Sequence, residues 1–70
     1  MNTERQRIGK LIADIRKEKG LSQAQLAERC GTHQGHIARI ELGKYSVGLD
    51  TLASIAEALD CQLDITKKQD

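Results

Sequence analysis

Apolar residues recur along the first part of the chain with the period of a helix. Ile8, Leu11, Ile12 and Ile15 fall at i, i+3, i+4 and i+7 and form one stripe. Thr3 followed by Gln6 has capping-box spacing, which predicts a helix start near Thr3. Gly20 predicts its end, because glycine readily takes the left-handed conformation that closes a helix. Ser22 with Gln25 repeats the box and opens a second helix, whose inner face is Leu26, Ala27 and Cys30. Gly31 stops it after about two turns. A third helical segment carries Ile37 and Ile40 and closes at Gly43. Residues 43–48 read as a loop. A fourth helix runs from about Leu49 to Leu59, with Leu49, Leu52, Ala53, Ile55, Ala56 and Leu59 on a broad apolar face. The period then changes to two. Cys61, Leu63 and Ile65 alternate with Gln62, Asp64 and Thr66, the pattern of a short strand, with a final helical turn as the other reading. Lys67 to Asp70 read as a frayed tail.

Composition narrows this to one small helical domain over residues 1–70. The chain is near the lower size limit for a self-supporting core. Its apolar residues are almost wholly Ile, Leu, Ala and Val, Tyr45 is the only aromatic residue, and Pro is absent. That balance favours an all-α bundle. The net charge of +1 is uninformative, but its distribution is not. Residues 1–48 hold nine Lys/Arg against five Asp/Glu, whereas residues 49–70 hold two against five. A basic binding half and a second half with another role are expected. Two cysteines without a signal peptide fit a reduced, cytoplasmic protein, and no apolar run approaches membrane-spanning length.

The stretch from Ser22 to Leu42 carries the chemistry. Two short helices meet at Gly31 through a tight turn, with small Ala27 where their backbones would cross. Leu26, Cys30, Ile37 and Ile40 would lock the angle from the core side. The outer face of the second helix is then free to enter a DNA major groove. On this helix Gln34 is the leading base-reading candidate, because its amide matches adenine N6 and N7. Arg39 can fork onto guanine or sit in a surface ion pair. Gly35 and Ala38 permit close approach or meet a thymine methyl group. His33 and His36 flank that face; either can contact a base or a phosphate or simply be solvated, with His33 placed among the base contacts and His36 among the phosphate contacts. Gln23, beside the free N–H groups of its helix start, is a phosphate candidate, as are Lys44, Tyr45 and Ser46 beyond the helix. Arg7 and Lys10 add weaker attraction or form a solvated face.

Ile8-Gly9, Ile12, Arg16, Gly20-Leu21-Ser22-Gln23, Leu26-Ala27, Gly31, Ile37, Arg39-Ile40-Glu41, Gly43-Lys44, Leu52, Ile55-Ala56 and Leu59 together resemble the lambda-repressor/Cro-type helix-turn-helix family, also called the XRE family. The resemblance runs from about Ile8 to Leu59. It implies a bundle of four or five helices that binds operator DNA as a dimer. It also implies that Gln23 braces Gln34, and that Arg16 and Glu41 form a structural ion pair between the first helix and the end of the third. Three positions depart from the pattern. His33 stands where Ser or Asp usually caps, and would be a poor cap, with Thr32 as the substitute. Gly35 costs about 1 kcal/mol inside a helix and removes a side chain. Val47 replaces a frequent proline.

Other functions fit less well. Cys30, His33 and His36, with Cys61, have metal-like spacing, but Cys30 belongs to the core stripe and the histidines to the opposite face. No metal or other cofactor is expected. Paired carboxylates, a nucleophile with its base, and a phosphate loop are all missing, so the chain is not expected to be an enzyme. The expected function is a transcriptional regulator, a repressor, binding a palindromic double-stranded operator as a homodimer through Cys61, Leu63 and Ile65 in the 61–66 segment. The alternative is an antitoxin binding both operator DNA and a toxin protein, or a regulator encoded beside a restriction–modification system.

Overall fold

The computed structural model describes residues 3–69. Four helices follow one another: α1 (Thr3–Glu18), α2 (Gln23–Cys30), α3 (Gln34–Glu41) and α4 (Leu49–Ala58). The all-α class follows from the periodicity. Among the described residues there is no fifth helix and no strand. Residues 61–69 have no regular structure, so the alternation at 61–66 produces neither a strand nor a helical turn in the single chain. The physical reason is that a strand needs a ladder partner for its N–H and C=O groups. The cap expected of the Thr3 side chain, and the last residue of the tail, lie outside what is described.

Local chemistry fixes both ends of α2 and the start of α3, whereas Gly48 opens α4 with no side-chain cap. On α1, Glu4 pairs with Arg7 at 2.9 Å and Lys10 with Asp14 at 2.8 Å. Both pairs are exposed and link adjacent turns. At Ser22 the capping box is complete. Ser22 Oγ accepts from Gln25 N at 3.0 Å, and Gln25 Oε1 accepts from Ser22 N at 2.8 Å. Gly31 ends α2 at φ +74°, a conformation that only glycine adopts without strain. The turn lets Thr32 N donate back to Ala27 O at 2.9 Å. α3 begins differently from the expectation. His33 itself caps, its Nδ1 accepting from His36 N at 3.3 Å. An imidazole nitrogen two bonds beyond Cβ reaches this N–H much as an Asn oxygen would. Thr32, the expected substitute, instead places Oγ1 2.9 Å from His36 Nδ1.

The core consists of Ile12 from α1, Leu21, Leu26 and Ala27 from α2 and its approach, Ile37 and Ile40 from α3, and Ile55 and Leu59 from α4. Leu26, Ile37, Ile40 and Ile55 are almost wholly buried. Each can be worth roughly 1.5–3 kcal/mol of transfer free energy. α3 packs against both α1 and α2, and α4 packs against α2. Gly9 makes the α1–α3 approach possible. A Cβ there would overlap the Ile40 carbonyl oxygen and stand 2.8 Å from that of Glu41. The C-terminal end of α3 therefore lies directly on the backbone of α1. Leu11, expected in the stripe, is 47% exposed and lines an apolar groove of about 100 Å³ with Ile8, Ile15, Leu52 and Leu63.

Glycine replacement should have opposite effects at two sites. Gly9→Ala forces α1 off α3 and should cost about 1–3 kcal/mol. Gly35→Ala meets only the His33 ring, at 3.4 Å, and should gain up to about 1 kcal/mol of helix propensity. Urea unfolding of both variants measures this; a neutral Gly9→Ala or a destabilised Gly35→Ala would contradict the packing described.

Candidate nucleic-acid interface

α3 has two unlike faces. Ile37 and Ile40 are buried, whereas Gln34, Gly35 and Arg39 are exposed and Ala38 is partly so. The spacing of four between 34 and 38, and between 35 and 39, puts these on one outward stripe. His33 is exposed at the head of the same helix. Gly35 leaves the middle of the stripe bare. Among the described residues Arg39 has no ion-pair partner, so the surface pair open to it on sequence grounds is not formed. Arg7 and Lys10 are each occupied by a neighbour on α1.

Beneath this stripe runs a polar chain that the sequence divides into two separate pairs. Arg16 and Glu41 form a bidentate ion pair, Nε to Oε2 at 2.7 Å and Nη2 to Oε1 at 3.1 Å. Their side chains are only 10% and 6% exposed. Arg16 Nη1 also donates to Leu21 O at 2.8 Å, which ties the guanidinium to the start of α2. The bond to Glu41 raises the Arg16 pKa above its ordinary value, outweighing the opposing effect of burial. Gln23 Nε2 donates to Glu41 Oε1 at 2.9 Å, and Gln34 Nε2 donates to Gln23 Oε1 at 3.3 Å. One continuous path thus leads from α1 to the exposed face of α3. The Gln23–Glu41 bond is the part that sequence reasoning missed. No spacing rule joins residues 18 apart in two helices, although both were named for other reasons.

A second cluster lies past α3. Lys44, Tyr45 and Ser46 are exposed in the loop to α4. The Tyr45 ring meets the His36 ring edge to face, centroids 5.0 Å apart, and the His33 and His36 rings lie 6.0 Å apart. His36 is partly buried, with Nδ1 at Thr32 and Nε2 enclosed without a hydrogen-bond partner. It is less exposed than Lys44, Tyr45 and Ser46, and Gln23 is half-buried likewise.

The remaining candidates stand apart from α3. Cys61, Leu63 and Ile65 follow α4, and Leu63 lines the groove between α1 and α4. Cys30 Sγ points at Ser54 O, 3.9 Å away, and burial pushes its thiol pKa up. Among the described residues no three His, Cys, Asp or Glu side chains converge as a metal centre would need. No described helix is long and apolar enough to cross a membrane.

Two helices joined at a left-handed glycine, with a buried inner face and a polar outer face on the second, define a helix-turn-helix. Residues 12–65 match the sequence profile of the helix-turn-helix family HTH_3, and the chain belongs to this XRE-type family. The chain is 41% identical over 56 residues to the immunity repressor protein of Bacillus phage phi105, a match covering 80% of this chain and 39% of that protein. It is 36% identical over 61 residues to the ImmF control region 10 kDa protein of the same phage, covering 87% and 68%. The chain therefore spans about two fifths of the phage repressor and about two thirds of the ImmF protein. Among solved structures, the restriction-modification controller protein C.AhdI from Aeromonas hydrophila superposes with a TM-score of 0.83 at 30% identity, covering 86% and 87% of the two chains. The clp gene regulator ClgR from Corynebacterium glutamicum gives 0.79 at 30% identity, covering 81% and 61%.

The buried pair separates structural from surface roles. Glu41→Ala leaves Arg16 buried without its counter-charge and should cost about 3–5 kcal/mol. Gln34→Ala should change stability by less than about 0.5 kcal/mol. Thermal melting of the two variants compares them; equal melting temperatures would refute the assignment.

Proposed function

We propose that the protein is a sequence-specific double-stranded DNA-binding transcriptional regulator that acts as a repressor. The observation that carries this reading is the outward stripe of α3, with Gln34 held from behind by Gln23. Gln34 and Arg39 read bases in the major groove, with His33 at the helix head. Gly35 and Ala38 let the helix approach the base edges closely. The backbone N–H of Gln23 at the head of α2, with Lys44, Tyr45 and Ser46, binds phosphate on either side and sets the register. His36 joins them only if its ring turns out from Thr32, since both its nitrogens face inward. The names of the phage immunity repressor and of the ClgR regulator support the regulatory class.

The unit of binding in this reading is a homodimer on a palindromic operator, each copy placing α3 in one of two major grooves about 34 Å apart. Cys61, Leu63 and Ile65 form the dimer contact. Its support is the exposure of Leu63 at 40% and Ile65 at 95%, next to the apolar groove of α1 and α4. A strand absent from the single chain would form there by pairing across the two-fold axis. The same apolar segment suits a toxin protein if the chain is an antitoxin.

Selection of bound duplexes from random DNA should return two inverted half-sites, and sizing with and without DNA should give a dimer. Recovery of no preferred sequence, or a monomer under all conditions, would refute the respective claims. Ile65→Glu should abolish the dimer without unfolding the bundle. Lys44→Ala should weaken binding about equally for all sequences and lower the salt slope by roughly one per subunit. A sequence-dependent loss in Lys44→Ala would instead make Lys44 a base reader.

A further inference from the structure

The amide of Gln23 has its orientation dictated from inside the protein. An ionised carboxylate offers acceptors only. Glu41 accepts from Arg16 Nε and Nη2, and its Oε1 also accepts from Gln23 Nε2 at 2.9 Å. Gln23 must therefore turn its NH₂ group inward and its carbonyl oxygen outward. That oxygen accepts from Gln34 Nε2 at 3.3 Å, so Gln34 must turn its NH₂ group towards Gln23. Flipping the Gln23 amide would set its oxygen against the carboxylate, and flipping Gln34 would set two carbonyl oxygens together. The Glu41 side chain is nearly inaccessible to water, so solvent does not readily repair a reversed Gln23.

We propose that Glu41 is a positioning residue for base recognition: through Gln23 it fixes the donor and acceptor polarity of Gln34 and so favours adenine over guanine. This rests on the reading of Gln34 as a base reader. In the major groove adenine presents one acceptor and one donor, N7 and N6, whereas guanine presents two acceptors, N7 and O6. An unbraced glutamine can rotate its amide to bring either of its N–H groups or its carbonyl to a base edge. Once one N–H is committed to Gln23, Gln34 has one N–H and the carbonyl oxygen left. That set complements adenine and leaves a guanine acceptor facing an oxygen. The Arg16–Glu41 pair, which by its burial has a structural role, thereby also acts on specificity at a position it never touches.

The test measures affinity for duplexes that differ only at the base pair whose preference Gln34→Ala erases. In the wild type, adenine should be preferred over guanine there by roughly 10–100-fold. Two variants break the relay. Glu41→Gln replaces an acceptor-only group with one that also donates, and Gln23→Met removes the middle link while leaving the Arg16–Glu41 pair in place. In both, the adenine-to-guanine ratio should fall to within about threefold, whereas preferences at the other positions persist. A merely structural role for Glu41 would lower all affinities together and leave that ratio intact. An unchanged ratio in Gln23→Met overturns the proposal, whether or not Glu41→Gln folds. If Gln34→Ala erases no base preference at all, the base-reading role of Gln34 falls, and the relay with it. If Gln34→Ala does erase a preference but Gln23→Met does not alter it, only the relay falls.

Discussion

The buried pair of Arg16 and Glu41 is the interaction on which the rest of the molecule depends. It joins α1 to the end of α3, and through the Leu21 carbonyl it also holds the approach to α2. A chain of this size has few large apolar side chains with which to set helix angles, and no Phe or Trp. Non-directional burial would allow three short helices to slide against one another. A bidentate, nearly dry ion pair has a defined geometry, and removing either charge leaves the other stranded. Gly9 serves the same contact from the backbone, because only a missing Cβ lets α1 lie against the carbonyl groups of Ile40 and Glu41. The charge pair and the close approach act together to place the C-terminal end of α3.

Much of this was legible in the residues because local chemistry decided it. The Ser22–Gln25 box, the left-handed Gly31 and the Ile37–Ile40 stripe each name their element without tertiary information. The Arg16–Glu41 pair and the bracing of Gln34 by Gln23 were expected only from the family resemblance, since nothing in the spacing of residues 25 or 11 apart announces contact. The bond from Gln23 to Glu41 was not expected at all. It depends on how closely α2 and α3 cross, which is a property of packing. His33 shows the opposite failure. Cap preferences rank side chains by type, and they miss an imidazole that happens to hold its acceptor nitrogen at the right reach.

The residues after α4 illustrate a different boundary between sequence and structure. A period of two states how a segment would present its side chains once paired, and says nothing about where the partner is. In the single chain Cys61, Leu63 and Ile65 therefore have the pattern of a strand without the strand. The buried core ends at Leu59, and Leu63 beyond it lines the groove between α1 and α4. Exposed apolar side chains are found on both sides of this boundary, Leu11, Leu42 and Leu49 before it and Leu63 and Ile65 after it.

Gly35 has a consequence for how such a surface can change over time. On the outward stripe of α3 it lies between Gln34, which is bonded to Gln23, and Arg39, which has no ion-pair partner among the described residues, yet it offers no side chain of its own and has room for one. On the proposed reading, new base preferences can be acquired there by single substitutions that improve the helix. Changes at Gln34 or Gln23, by contrast, disturb a chain of bonds anchored in the core. On the same reading, α3 combines one position whose amide is oriented from inside the protein with one where substitution meets little constraint. Divergence between copies of such a gene would be expected to begin at that empty place.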